Sequence, residues 1–154
     1  MNMEYVKANE KDIEQIVMIV QDTIRTIYPN YYPKEVVDFF CELHCKENIS
    51  EDVQNGFVGV LRSDNLIVGT GSYQDNHITR VYVKPECQGQ GCGSYIMQCL
   101  ESEISLQYDT VHLDASLPAS HLYEKRGYQT TKHEKWNVRN GRVLVYEVMV
   151  KSLN

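Results

Sequence analysis

The stretch Gln88-Gly89-Gln90-Gly91-Cys92-Gly93 constrains this chain more than any other, because it lies between an apolar strand pattern, Ile78 to Val83, and a helical one, Ser94 to Leu106. Glycines at alternate positions let the backbone turn tightly and bring its N–H groups close to a ligand. The helix that follows points its partly positive end the same way. The combination is an anion cradle, suited above all to phosphate. A nucleotide P-loop requires G-x-x-x-x-G-K-[ST], and no Lys-Ser or Lys-Thr follows here. A dinucleotide fingerprint requires G-x-G-x-x-G, whereas the spacing here is G-x-G-x-G, so both are disfavoured.

A length of 154 residues fits one domain, 1–154, large enough to bury roughly two thirds of its unfolded surface without a disulfide or metal staple. The five cysteines are an odd number and nothing before Asp12 resembles a signal peptide, so the expected location is cytoplasmic, with the cysteines as thiols. No apolar run approaches the ~20 residues of a membrane span. A formal charge of −6 with no lysine or arginine cluster argues against nucleic acid and leans towards cationic small substrates.

Residues Met3 to Ala8 alternate as a first strand. Asn9 with Asp12 can cap a helix whose Ile13, Ile16, Val17, Val20, Ile24 and Ile27 share one face. Pro33 suits the first turn of a second helix carrying Val36, Val37, Phe40 and Leu43. Ser50 to Asn55 reads as a short capped turn. Phe57 to Leu61, Leu66 to Tyr73 and His77 to Lys84 form an antiparallel meander, parted by Ser63-Asp64-Asn65 and Asp75-Asn76. After the glycine loop and its helix, Thr110 to Ala115 is a strand reached by a helical crossover, and should pair in parallel. Pro118 opens a helix that Gly127 closes. Tyr128 to Val138 and Arg142 to Val150 form a hairpin about Asn140-Gly141. The expected class is α/β (α+β): a mixed, mostly antiparallel central sheet of about seven strands flanked by helices, in the order β-α-α-β-β-β-α-β-α-β-β.

With its leading glutamine, the loop resembles the Q/R-x-x-G-x-G/A acetyl-CoA motif of the GNAT superfamily of N-acetyltransferases. Leu122-Tyr123-Glu124-Lys125-Arg126-Gly127-Tyr128 is similar to that superfamily's (L/F)-Y-E-K-x-G-(F/Y) segment, and the element order is that of its fold over essentially the whole chain. Two motifs in the right order are far more specific than one. The resemblance implies an acetyl-CoA-dependent N-acetyltransferase acting on a primary amine by direct attack in a ternary complex, with no metal. It implies that N–H groups of Gly89, Gly91 and Gly93, with Gln90 and Cys92, hold the pyrophosphate, flanked by Gln88 and Ser94. Main-chain groups of Val81, Tyr82 and Val83 would pair with the pantetheine arm.

The same resemblance places Tyr123 beside the thioester sulfur as general acid, since a thiol pKa near ~8.5 requires little tuning of a phenol; packing is the plain alternative. His77 begins the strand leading to the loop, where histone-acetylating relatives carry a glutamate base, and imidazole titrates near neutrality; a solvated strand end is its alternative. Relatives carry an asparagine where Ser116 stands, so Ser116 either bonds the pantetheine arm or caps a helix. Asp114 is a candidate orienting carboxylate, with a satisfied buried or solvated aspartate as the preferred reading. Tyr28, Tyr31 and Tyr32 lie in the connection that walls the acceptor site in this fold, where they can enclose an amine or simply pack. His44 with Cys41 and Cys45 lacks a fourth ligand and a second close pair, so core thiols are preferred to zinc. Cys92 reads as a small hydrophobe and Trp136 as packing. The acceptor is a small amine or a protein amine, and a homodimer is possible through the last strands. A non-catalytic acyl-CoA sensor, or transfer of another acyl group or to an O-acceptor, are the alternatives on the same fold.

Overall fold

The computed structural model describes residues 2–154. Strand β1 (Met3–Lys7) gives way to a single tight turn in which the Asn9 side chain accepts from the Lys11 N–H while Asp12 accepts from the Asn9 N–H. This reciprocal capping starts α1 (Ile13–Ile27), whose Ile16, Val20 and Ile24 are fully buried. Helix α2 (Lys34–Leu43) begins after Pro33 and buries Val36, Val37 and Phe40. A third helix, α3 (Lys46–Gln54), follows where only a capped turn was expected. Its sequence is mostly polar, so its signal is confined to Ile49 and Val53, one turn apart and both buried, which dock on α1. Cys41 accordingly lies in α2, whereas Cys45 lies just before α3.

The meander β2 (Val58–Ser63), β3 (Leu66–Gln74) and β4 (His77–Val83) turns at Asp64-Asn65, both at positive φ, and at Asp75-Asn76. Helix α4 (Cys92–Ile104), strand β5 (Thr110–Ala115), the short α5 (Ser120–Lys125), and the hairpin of β6 (Gln129–Asn137) and β7 (Val143–Ser152) complete the chain. The hairpin turns at Asn140 (φ 58°) and Gly141 (φ 71°), the left-handed pair that matches strand twist. The seven strands form one sheet in the order β1-β2-β3-β4-β5-β7-β6, antiparallel throughout except for the parallel pair β4–β5. The expected fold class is thus observed, with α3 added.

One core cluster joins α1, α2 and α3 to one face of the sheet, and a second joins α4 and α5 to the other, with Val60 and Leu61 of β2 pointing to opposite sides. A Cβ on Gly69 or Gly71 of β3 would lie 2.9 or 2.7 Å from Ile96 of α4; this helix rests directly on backbone.

Among the buried polar groups, Glu101 of α4 is a hub. Its carboxylate accepts from Arg126 (2.7 and 3.4 Å), Tyr128 (2.8 Å) and Lys151 (3.2 Å), tying α4 to the end of α5 and to β7. Burial alone would raise its pKa, but the hydrogen bonds from Arg126 and Tyr128 and the neighbouring positive charge outweigh it and hold the carboxyl below the usual range. A depressed carboxylate pKa stabilises the fold above the unfolded-state pKa, and that contribution is lost as pH falls through the folded value. Glu101→Gln should therefore cost about 2–3 kcal/mol at neutral pH, and the gap from wild type should narrow as pH falls below the ordinary carboxylate range. Urea titrations of both proteins at neutral and acidic pH measure this.

Candidate active site

The strand-to-helix passage is built as the glycine pattern anticipates. Beyond β4 the chain makes one turn at Pro85–Cys87, and then Gly89 and Gly91 adopt φ of 76° and 88°. A Cβ at either glycine would meet nothing within 4 Å, so both face open space. No side chain caps α4, whose ladder starts with the Tyr95 N–H on the Gly91 carbonyl. The first-turn amides of Cys92, Gly93 and Ser94 are left for an external acceptor. The loop is braced from within: Gln88 Nε2 donates to the Val83 carbonyl (3.1 Å), Thr23 Oγ1 donates to the same oxygen (3.2 Å), and Gln90 Nε2 reaches the Glu86 carbonyl (3.4 Å). The glutamines shape the cradle with side chains already occupied. Cys92 is buried, and burial followed by its neighbour Cys87 pushes its thiol up, in keeping with a small hydrophobe.

The second component is a gap in the sheet. Strands β4 and β5 pair only at His77↔His112 and Ile78↔Leu113 and then part. Opposite β3, Ser72 pairs with Arg80 but Tyr73 with Ile78, leaving Thr79 as an extra bulged residue that bends β4. The Lys84 N–H bonds the Val68 carbonyl, so by the antiparallel alternation Tyr82 and Arg80 also bond β3, while the main-chain groups of Val81 and Val83 face the gap. Tyr82, expected to offer main-chain bonds, has them committed to β3. It contributes its side chain instead.

At the gap lies a cavity of about 360 Å³ lined by Tyr28, Val81, Tyr82, Ser116 and Tyr123 among others, a size typical of small-molecule sites. Tyr123, on α5, is buried, and burial followed by the nearby Tyr28 phenol pushes its pKa up, keeping it protonated. Tyr28 is buried too; its hydroxyl donates to that of Tyr82 (3.2 Å). The other two expected wall tyrosines are elsewhere. Tyr31 is half-exposed and outside the cavity. Tyr32 packs against Tyr28 and Phe40, and its hydroxyl accepts from the Leu117 N–H at 2.7 Å, clamping the α1–α2 connection to the β5–α5 loop. The turn at Tyr28–Asn30 separates these tyrosines in direction, which residue type alone does not reveal.

His77 lines the cavity, half-exposed, with Nε2 3.5 Å from Asp114 Oδ2 and its ring stacked on His112 at 4.5 Å. His112 is pushed down by burial and then by His77. Several wall residues carried no sequence expectation of a site role: Phe39, Arg80, Leu144 and Tyr146, with Trp136, read only as packing. Arg80 had a signal, the one formal charge between Ile78 and Val83. His44 also lines the cavity and accepts a hydrogen bond from Arg80, and no group of three or more His, Cys, Asp or Glu side chains is gathered closely enough to hold a metal among the described residues. No helix there is long and apolar enough to cross a membrane.

The comparisons agree with this geometry. The structure is similar to a GCN5-related N-acetyltransferase from Rhodopseudomonas palustris, with 21% identity, 99% of this chain and 98% of that one covered, and a TM-score of 0.88. It is similar to the PaiA N-acetyltransferase from Thermoplasma acidophilum in complex with coenzyme A, at 17% identity, 99% of both chains and a TM-score of 0.76. YncA from Salmonella typhimurium, solved with its cofactor acetyl-CoA, gives 20% identity, 100% of this chain and 95% of that one, and a TM-score of 0.70. These likenesses establish the fold. No curated protein matches the chain significantly in sequence. A family model described as an acetyltransferase (GNAT) domain matches residues 27–148, most of the chain, and the chain belongs to the GNAT acetyltransferase family.

Proposed function

We propose that the protein is an N-acetyltransferase that moves an acetyl group from acetyl-CoA to a primary amine by direct attack in a ternary complex, with Tyr123 as general acid. The observation that carries this reading is the position of Tyr123 on the cavity wall where β4 leaves β5, with the glycine cradle at the other end of the same strand. Acetyl-CoA supplies the acyl group already activated as a thioester. The residues present fit it: open glycines and uncapped amides from Gly89 to Ser94 suit the pyrophosphate, and the main-chain groups of Val81 with the N–H of Val83, which no neighbouring strand pairs, suit an extended arm. Ser116 lines the cavity beyond β5, which supports a hydrogen bond from it to that arm.

Tyr123 holds its proton because burial disfavours the phenolate. The same desolvation acts on any thiolate lodged beside it, so a hydrogen bond from phenol to departing sulfur is favoured. His77, whose Nε2 lies 3.5 Å from Asp114, takes the amine proton directly or through water. None of the five cysteines lines the cavity, which supports transfer without an acyl-enzyme on sulfur.

Tyr123→Phe should lower kcat by ~10²- to 10⁴-fold while acetyl-CoA affinity, read by calorimetry, changes little; binding with no amine-dependent thiol release in wild type would favour a sensor. With amine saturating, kcat should show no descending limb below the ordinary tyrosine pKa of about 10, because Tyr123 remains protonated there. Gly91→Val forces a β-branched residue into a left-handed conformation that costs about 1–3 kcal/mol, and should weaken CoA binding by roughly tenfold or more.

A further inference from the structure

One polar recess of the cavity takes no part in the chemistry above. Arg80 is 7% exposed in the cavity wall, and a buried cation is costly unless it is paired. Its Nη1 donates to Asp52 Oδ2 at 2.6 Å and its Nε donates to His44 Nδ1 at 2.9 Å. A guanidinium can only donate, so Nδ1 of His44 is a bare acceptor and the neutral ring carries its proton on Nε2. Burial, and then the charge of Arg80, push His44 down to about 3, so this tautomer persists at working pH. Toward a ligand, Arg80 and His44 therefore offer donors and no acceptor. Asp52 neutralises the cation without lining the cavity. The neighbouring wall is aromatic and aliphatic: Phe39, Phe40, Leu43, Trp136 and Leu144.

Building on the acetyltransferase reading, we propose that Arg80 and His44 select the acceptor, a primary amine on a flat apolar body that also carries a neutral hydrogen-bond-accepting oxygen. The aromatic wall fits the flat body, and the donor pair fits the oxygen. A carboxylate is disfavoured because Asp52 already neutralises Arg80, leaving a second anion without a countercharge. A second ammonium is disfavoured because it would meet a buried cation and a donor-only pair. Polyamines whose second ammonium would enter this recess are therefore poor acceptors even though the chain carries a formal charge of −6 and Asp114 also lines the cavity wall.

The test compares tyramine with phenethylamine, 4-(2-aminoethyl)benzoate and spermidine, using two readouts. Trp136 is the single tryptophan and lies in the cavity wall, so its fluorescence reports occupancy in the presence of CoA, independently of turnover; thiol release from acetyl-CoA reports transfer. Tyramine should exceed phenethylamine by about 10- to 100-fold in kcat/KM, mainly through KM, as hydrogen bonds to a charged partner imply. The benzoate and spermidine should do no better than phenethylamine. In His44→Leu the tyramine preference should fall towards unity, and His44→Asn, which keeps a side-chain N–H, should restore part of it. Equal handling of tyramine and phenethylamine, a preference for the benzoate or spermidine, or an undiminished preference in His44→Leu overturns the proposal, as does a wild-type protein whose fluorescence and turnover respond to none of the four. Selective binding of tyramine without thiol release upholds the recess and removes the acetyltransferase reading. Thiol release with spermidine alone does the reverse.

Discussion

The site depends on a sheet that fails to close. Two residue pairs join β4 to β5, and beyond them the bulge at Thr79 bends β4 away. That one residue does two things. It leaves the main-chain groups of Val81 and Val83 without a neighbouring strand, and it reverses the alternation of side chains. Ile78 would otherwise share a face with Arg80 and Tyr82; instead it packs with Val83 against α4, while Tyr82 packs with α1 and α2. The gap and the polar recess under it have a common origin.

Much of this was legible because it rests on local backbone chemistry. Alternate glycines, the Asn9–Asp12 cap and the Asn140-Gly141 turn each require particular residues at particular conformations, and each is found where the pattern places it. The helical crossover dictates a parallel β4–β5 pair, and that is found too. What escaped depends on tertiary context. Helix α3 has only Ile49 and Val53 to announce it. The bulge at Thr79 leaves no mark on an alternating strand, so the face that Arg80 takes was hidden even though its charge stood out, and the register that commits Tyr82 to β3 was hidden with it. Tyrosines four residues apart looked equivalent in the α1–α2 connection, yet Tyr28 reaches the cavity while Tyr32 braces a loop.

Net charge alone does not describe the wall of the cavity. The excess of acidic residues is spread over the surface, where water screens it, whereas the buried ionic groups are few and each is answered by named partners. Glu101 is answered by Arg126, Tyr128 and Lys151, and Arg80 by Asp52 and His44. In both clusters one charge sits at the junction of elements distant in sequence, and removing a single partner leaves it exposed to a low dielectric. Such clusters fix how elements dock more than they add to net stability.

The narrow contact between β4 and β5 has a mechanical side. The sheet amounts to two stiff plates, β1 to β4 and β5 with β7 and β6, hinged along a strip two residues long. Shear between the plates disturbs few interstrand bonds, so slow collective motion and amide hydrogen exchange should concentrate at this seam, while the interiors of the plates stay rigid. An extended chain lodged in the gap would act as a missing strand, stitching the plates together and stiffening the molecule across its whole width.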